Sequence, residues 1–124
     1  MEALVTFVYG LNEVVPRRDL WDQLTCYMED VGEDPWLVLG DFNTVLDLSE
    51  VNGIFGDLSV GMDDFQACIW ATRLLPVPVQ GESYTWHNCS SGPRSLWKKL
   101  DRMLANNTWF SVWPNVTLPD FILS

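Results

Sequence analysis

Histidine occurs once in the 124 residues, at His87, and positive charge is scarce: seven Lys and Arg stand against seventeen Asp and Glu, a net charge of −10. A bare surface of that sign repels phosphate backbones, which excludes a generic basic nucleic-acid binder. The shortage is uneven. Twelve acids and no Lys or Arg lie between Asp19 and Thr72, whereas Arg73 to Ser124 holds five basic residues against three acidic ones. An anionic ligand is therefore expected to approach the second half, or to come with a metal ion. Cysteine is odd in number (Cys26, Cys68, Cys89), with no C-x-x-C pair and no histidine at zinc spacing, so neither a disulfide framework nor a structural zinc site is supported, and three buried free thiols are expected. Long apolar runs are missing too. Stretches such as Trp36 to Leu39 fall far short of the ~20 residues of a membrane span, and the N-terminus shows no basic flank with a small-residue cleavage site, so the chain reads as soluble and intracellular, nuclear or cytoplasmic, with no membrane partner. Three N-x-S/T sequons, at Asn88, Asn106 and Asn115, carry little weight without such a signal. What is abundant is apolar and aromatic: 48% hydrophobic residues, with seven Trp, six Phe and three Tyr, a composition that folds and at this length folds around one core.

Ala3 to Tyr9 (ALVTFVY) predicts a buried strand, and Pro16 suits the first turn of a helix whose apolar face is Leu20, Trp21, Leu24, Tyr27 and Met28. Gly32 and Pro35 bracket its exit, and Trp36 to Gly40 predicts a strand covered on both faces, so strand, helix and strand outline a βαβ unit. Residues 44 to 60 read as a long loop, followed by a second helix with Phe65, Cys68, Ile69 and Thr72 on one face and Asp63 and Asp64 in its first turn. Pro76 and Pro78 exclude helix, Glu82 to His87 predicts a strand, and Ser90 to Pro93 a turn. Leu96 to Leu104 fits a helix as well as a strand. Thr108 to Trp113 predicts a short aromatic helix stopped by Pro114, and the last ten residues a strand.

Four short patterns offer chemistry. Gly40-Asp41-Phe42-Asn43 follows a predicted strand, where the carboxyl end presents side chains to a crevice, so a carboxylate and a carboxamide two residues apart can face one ligand; the plainer alternative is a turn in which they bond local backbone. Tyr9-Gly10-Leu11-Asn12 ends the first strand and would bring a phenol and a carboxamide to the same sheet edge, unless it is simply a strand-to-helix turn. Tyr84-Thr85-Trp86 reads equally as a half-buried aromatic strand. Lys99-Leu100-Asp101-Arg102 sets an acid among apolar residues, or else leaves Asp101 at the surface, screened by Lys98, Lys99 and Arg102.

In this order the four resemble the endonuclease/exonuclease/phosphatase family, the DNase I-like metal-dependent phosphodiesterases, whose motifs are Tyr-x-x-Asn, Gly-Asp-x-Asn after a core strand, a Thr-Trp strand and a Leu-Asp strand before a closing Ser-Asp-His. The wording between them (VYGLN, RRDLW, WLVLGDFN, SYTW, KLDRMLAN, WPN) looks most like the endonuclease domain of plant LINE-type non-LTR retrotransposons. The resemblance implies an α/β chain, a partial DNase I-like two-sheet sandwich flanked by helices, with residues 1–124 forming its central and later part. It implies catalytic roles for Asp41, Asn43 and Asp101: Asp41 positions or deprotonates the attacking water, Asn43 helps hold the phosphate, Asp41 and Asn43 help hold Mg²⁺ or Mn²⁺, Tyr9, Asn12 and Thr85 contact phosphate, and Asp101, on a strand, orients a catalytic histidine. DNA is the implied family substrate.

Two family features have no equivalent in this chain. The principal metal ligand, a Glu on strands before Tyr-x-x-Asn, has no match, since eight residues precede Tyr9 and Glu2 is too close; no His follows Leu118-Pro119-Asp120. His87 does not match the catalytic position and reads as a strand or loop residue. The expectation is a retroelement-derived domain, truncated at both ends and inactive as this fragment, with weak DNA binding and self-association through exposed sheet edges. The alternative is a degenerate nonenzymatic interaction module with its acidic first half as contact surface.

Overall fold

The computed structural model describes residues 2–53, 56–80, 86–90, 92–114 and 118–119, with backbone alone at 79–80 and 118–119. The elements run β1 (Leu4–Tyr9), α1 (Val14–Val31), β2 (Trp36–Asp41), β3 (Val51–Gly53), α2 (Ser59–Thr72), β4 (Leu75–Pro76), β5 (Val79–Gln80), β6 (Trp86–His87), β7 (Leu96–Lys98), β8 (Asp101–Ala105), α3 (Asn107–Val112) and β9 (Leu118–Pro119), with short 3₁₀ turns at Leu48–Glu50 and Gly92–Arg94. The class is mixed α/β. The main sheet has the order β1-β2-β8-β4; β3-β7-β6 form a second sheet, and β5 and β9 a parallel pair.

β1 and β2 pair in parallel around α1, the expected βαβ unit, and β8 adds antiparallel to the other side of β2. Alternation along the strands then assigns two faces. Val8, Trp36, Val38 and Leu104 point to the helix side and bury against Trp21 and Leu24 of α1 and Phe65 and Cys68 of α2. Leu37, Met103 and Ala105 point to the other side, covered by Val77 and by Trp109 and Phe110 of α3. Asn106 stitches this end: its side chain accepts from the Trp36 and Trp109 backbone N–H groups and donates to the Asp34 carbonyl.

Several expectations need correction. β1 is not buried: it is an edge strand, and Val5, Phe7 and Tyr9 on its second face are 48%, 79% and 81% exposed. The second helix begins at Ser59, so Asp63 and Asp64 fall after its first turn, and Asp64 instead accepts from Arg18 Nε of α1 at 2.9 Å. Residues 44 to 60 are not one loop, because they hold the Leu48–Glu50 turn, β3 and the start of α2. Tyr27 leaves the α1 core face and is 47% exposed, while Arg17 joins it. Of the three thiols only Cys68 is buried. The 96–104 segment is extended, but as two strands of different sheets: β7 pairs with β3 and β6, and β8 with β2. Arg102 is no surface screen; it is buried against Glu50. The predicted strand at 82–87 and the predicted terminal strand fall partly outside the described residues, which retain Trp86–His87 and Leu118–Pro119 as strand.

Candidate functional site

Phe42 explains the local shape of the GDFN segment. Its ring is fully buried, 5.0 Å from the Phe65 ring, which in turn stacks on Trp21 at 4.9 Å, and its N–H donates to the Leu100 carbonyl at 2.9 Å. With position 42 anchored on the helix side, position 41 faces the other side of the sheet. Glycine makes room for this crossing. A Cβ on Gly40, whose φ is +136°, would stand 2.2 Å from the Val8 carbonyl oxygen, and one on Gly10 would stand 2.5 Å from that of Phe42. Only hydrogen fits at either position.

Register brings three of the sequence candidates into a row. Tyr9, the last residue of β1, is paired with Asp41, the last of β2, and Asp41 is paired with Asp101, the first of β8. Residues in register on neighbouring strands share a face, so a phenol and two carboxylates lie side by side at one end of the sheet. Asn43 follows the row in left-handed backbone (φ 54°), a conformation asparagine tolerates. Its N–H donates to Asp41 Oδ1 at 2.8 Å and its Nδ2 donates to the Gly10 carbonyl at 2.7 Å. A carbonyl can only accept, so the amide nitrogen faces Gly10 and the Asn43 side-chain oxygen is left to accept from, or ligate, something else. Asn12 joins from the loop before α1: it and Asn43 line one small cavity, and Arg17 Nη1 donates to the carbonyls of Leu11, Asn12 and Asn43 at 3.2, 3.3 and 2.8 Å. One guanidinium nitrogen thus ties the two asparagine loops together. Thr85 lies outside the described residues, as does Tyr84.

His87 is engaged elsewhere. Its ring stacks on Trp97 at 3.8 Å and its Nε2 shares a hydrogen bond with Ser95 Oγ at 3.0 Å, within the second sheet. Among the described residues no group of three or more His, Cys, Asp or Glu side chains converges on one point. No helix among them is long and apolar enough to cross a membrane.

Two charged residues escaped the reading of the sequence. Arg17 is 4% exposed, and burial lowers its pKa from the ordinary arginine value while the Asp64 charge pulls it back. Its signal was available: Arg17, Trp21 and Leu24 follow the i, i+4, i+7 spacing of the buried face of α1. Glu50 holds Arg102 in a two-pronged ion pair, Oε1 to Nη2 at 2.6 Å and Oε2 to Nη1 at 3.1 Å, with the guanidinium 5.1 Å from the centre of the Phe65 ring. No local pattern marks a pair 52 residues apart. Compared with known proteins, the chain matches no family model and no curated protein at a significant level.

Proposed function

We propose that this chain is a metal-dependent phosphodiesterase domain by descent, of the DNase I-like endonuclease type and derived from an intracellular LINE-type retroelement, that keeps the phosphate- and cation-holding part of its site but does not turn over. The observation that carries this reading is the in-register row Tyr9, Asp41, Asp101, with Asn43 bonded to Asp41 and Asn12 tied in through Arg17. Residues up to 92 positions apart meet there in the order that the family's motifs require.

The donor set fits a hard divalent cation. Two carboxylates on one face and the unspent amide oxygen of Asn43 are oxygen ligands of the kind Mg²⁺ or Mn²⁺ takes, and Mg²⁺ is commonly held by one or two carboxylates, with water and substrate oxygens completing its shell. Asp41, Asn43 and Asp101 would hold it, and it would supply charge neutralisation at the phosphate. The chain's own groups do the rest. Asp41 is the acceptor for a water proton, and the Tyr9 phenol and Asn12 amide are donors to phosphate oxygens. The single histidine is committed to Ser95 and Trp97, so no imidazole among the described residues stands at the row as proton donor for the leaving oxygen. Losing a general acid typically costs about 10²- to 10⁴-fold in rate.

The test pairs binding with turnover. Mg²⁺ should raise the melting temperature of the wild-type chain by a few degrees, through preferential binding to the folded state, and should not raise that of Asp41→Asn. Supercoiled plasmid should not be nicked above a buffer control. Equal Mg²⁺ shifts in both proteins would refute the cation site; Mg²⁺-dependent nicking abolished by Asp41→Ala would refute the inactive state.

A second reading, an interaction module, is favoured by one observation: Val5, Phe7 and Tyr9 form an exposed apolar row on an edge strand. Such an edge pairs readily with another chain. On this reading the contact surface is β1, not the acidic stretch, and self-association is expected to be lost in Phe7→Lys when measured by sedimentation.

A further inference from the structure

The cavity beside the two asparagines has a second wall, built from α1 and α2 on the helix side of the sheet. It is lined by Arg17, Thr44 and the start of α2 from Leu58 to Gly61, with Asp57 and Lys98 also contributing, and encloses about 160 Å³. That is roughly five times the ~30 Å³ share of one water and well below the ~300 Å³ at which sites for drug-sized ligands begin. It has room for one small group and not for a nucleoside.

Arg17 supplies the chemistry. It is 4% exposed and has no ion pair among the described residues. Nη1 is spent on three carbonyls, and buried Nε has no hydrogen-bond partner among the described residues. Nη2 is the guanidinium nitrogen that faces the corner, with N–H groups of the kind that bond a charged oxyanion strongly. Against Nη2 stands Gly61: a Cβ there would lie 2.8 Å from Nη2 and 3.2 Å from Thr44 Oγ1, so the missing side chain is what opens this corner. Among the described residues the Thr44 hydroxyl has only a long 3.5 Å contact to the Val45 carbonyl. The first turn of α2 adds N–H groups without intrahelical partners and the positive end of a 14-residue helix.

We infer that this cavity is a binding site for one tetrahedral oxyanion, a phosphate group held between Nη2 of Arg17, Thr44 and the N-terminus of α2. It is a second anion position, distinct from a phosphate at the Asp41 row, and it stands whether or not the phosphodiesterase reading holds. Opposing it is Asp57, whose exposed carboxylate caps Ser59 at 2.9 Å on the rim; Lys98 adds a positive charge to the wall, with its ammonium 5.4 Å from the centre of the Trp86 ring. The balance predicts millimolar affinity rather than tight capture.

The experiment is a titration followed by ¹H–¹⁵N spectra of the full chain at constant ionic strength, reading the Gly61 amide and the Arg17 Nε–H. Inorganic phosphate should shift both saturably, and chloride should not. Asp57→Asn should tighten binding several-fold by removing the like charge, and Gly61→Ala, which favours helix but fills the corner, should weaken it about tenfold or more, as expected for lost hydrogen bonds to a charged group. A 5′-phosphorylated dinucleotide and its unphosphorylated form separate the sources. Saturation by inorganic phosphate assigns a free oxyanion, and saturation only by the phosphorylated dinucleotide assigns a phosphate of a nucleic-acid chain. No saturable shift with either by about 50 mM, far above a millimolar Kd, overturns the site. So does equal affinity in a folded Gly61→Ala protein. The Mg²⁺ response of Asp41 is read separately and does not depend on this result.

Discussion

At the scale of single residues, burial sets chemistry that composition could not. Cys68 sits in the α1/α2 core with its thiol against the Trp21 carbonyl, and burial, helped by the charge of Asp22, raises its pKa from 9.0 to about 12. The folded state therefore keeps a proton that the unfolded chain sheds first. The associated stability is fully present below pH 9 and is lost as pH rises through the folded value. Wild-type melting temperature should fall more steeply above pH 9 than that of Cys68→Ala, and parallel curves would contradict this. In the folded protein Cys26 and Cys89 should react quickly with a thiol reagent and Cys68 slowly. Three cysteines looked alike in the sequence because an isolated thiol has no pattern; only Cys68, four residues before Thr72 and three after Phe65 on a helical stripe, carried a usable signal. Phe42 shows the same limit. The GDFN motif drew attention to Asp41 and Asn43, yet the ring between them is what anchors the segment in the helix-side core.

At the scale of elements, what was legible followed from periodicity and what was not followed from pairing at a distance. The α1 and β2 segments and the βαβ order could be read because their apolar spacing is regular and their ends carry Gly32 and Pro35. The 44–60 stretch looked like a loop because much of its order comes from outside it. Glu50 accepts from the Leu46 N–H and clasps Arg102 of β8, and the Lys99 N–H donates to the Glu50 carbonyl. Breaking a buried pair by removing one partner costs about 3–5 kcal/mol, because a desolvated charge is left behind. Glu50→Ala should destabilise the chain by about that much in urea unfolding, whereas Asp64→Ala, which breaks the exposed Arg18 contact, should cost about 1 kcal/mol or less. Similar losses from both would contradict the assignment of Glu50 as the clamp. The 96–104 ambiguity had a physical origin as well. Two short strands in different sheets, joined at Lys99 and Leu100, expose different faces in turn and so mimic a helical repeat.

At the scale of the whole molecule, the fold converts a chain with a net charge of −10 into one whose charges are sorted by location. Two cations, Arg17 and Arg102, are drawn into the core, so fewer remain at the surface to meet a polyanion. Duplex DNA should therefore bind no more tightly than the ~10⁻⁴ to 10⁻⁶ M of nonspecific association at physiological salt. A submicromolar constant would show a surface that this charge distribution does not provide. The position of Asp101 beside Asp41 could be anticipated only through the motif order, since 60 residues of chain separate them and no local property of KLDR distinguishes a site carboxylate from a surface one. The claim that this sheet end is a cation site is tested most directly by adding Mn²⁺ to the ¹⁵N-labelled chain and mapping which amide signals broaden. The account predicts that broadening at low Mn²⁺ centres on Tyr9, Asp41, Asn43 and Asp101 and disappears from them in Asp41→Asn; broadening that instead follows the acidic stretch from Glu29 to Asp34, or that is unchanged in the variant, would contradict it.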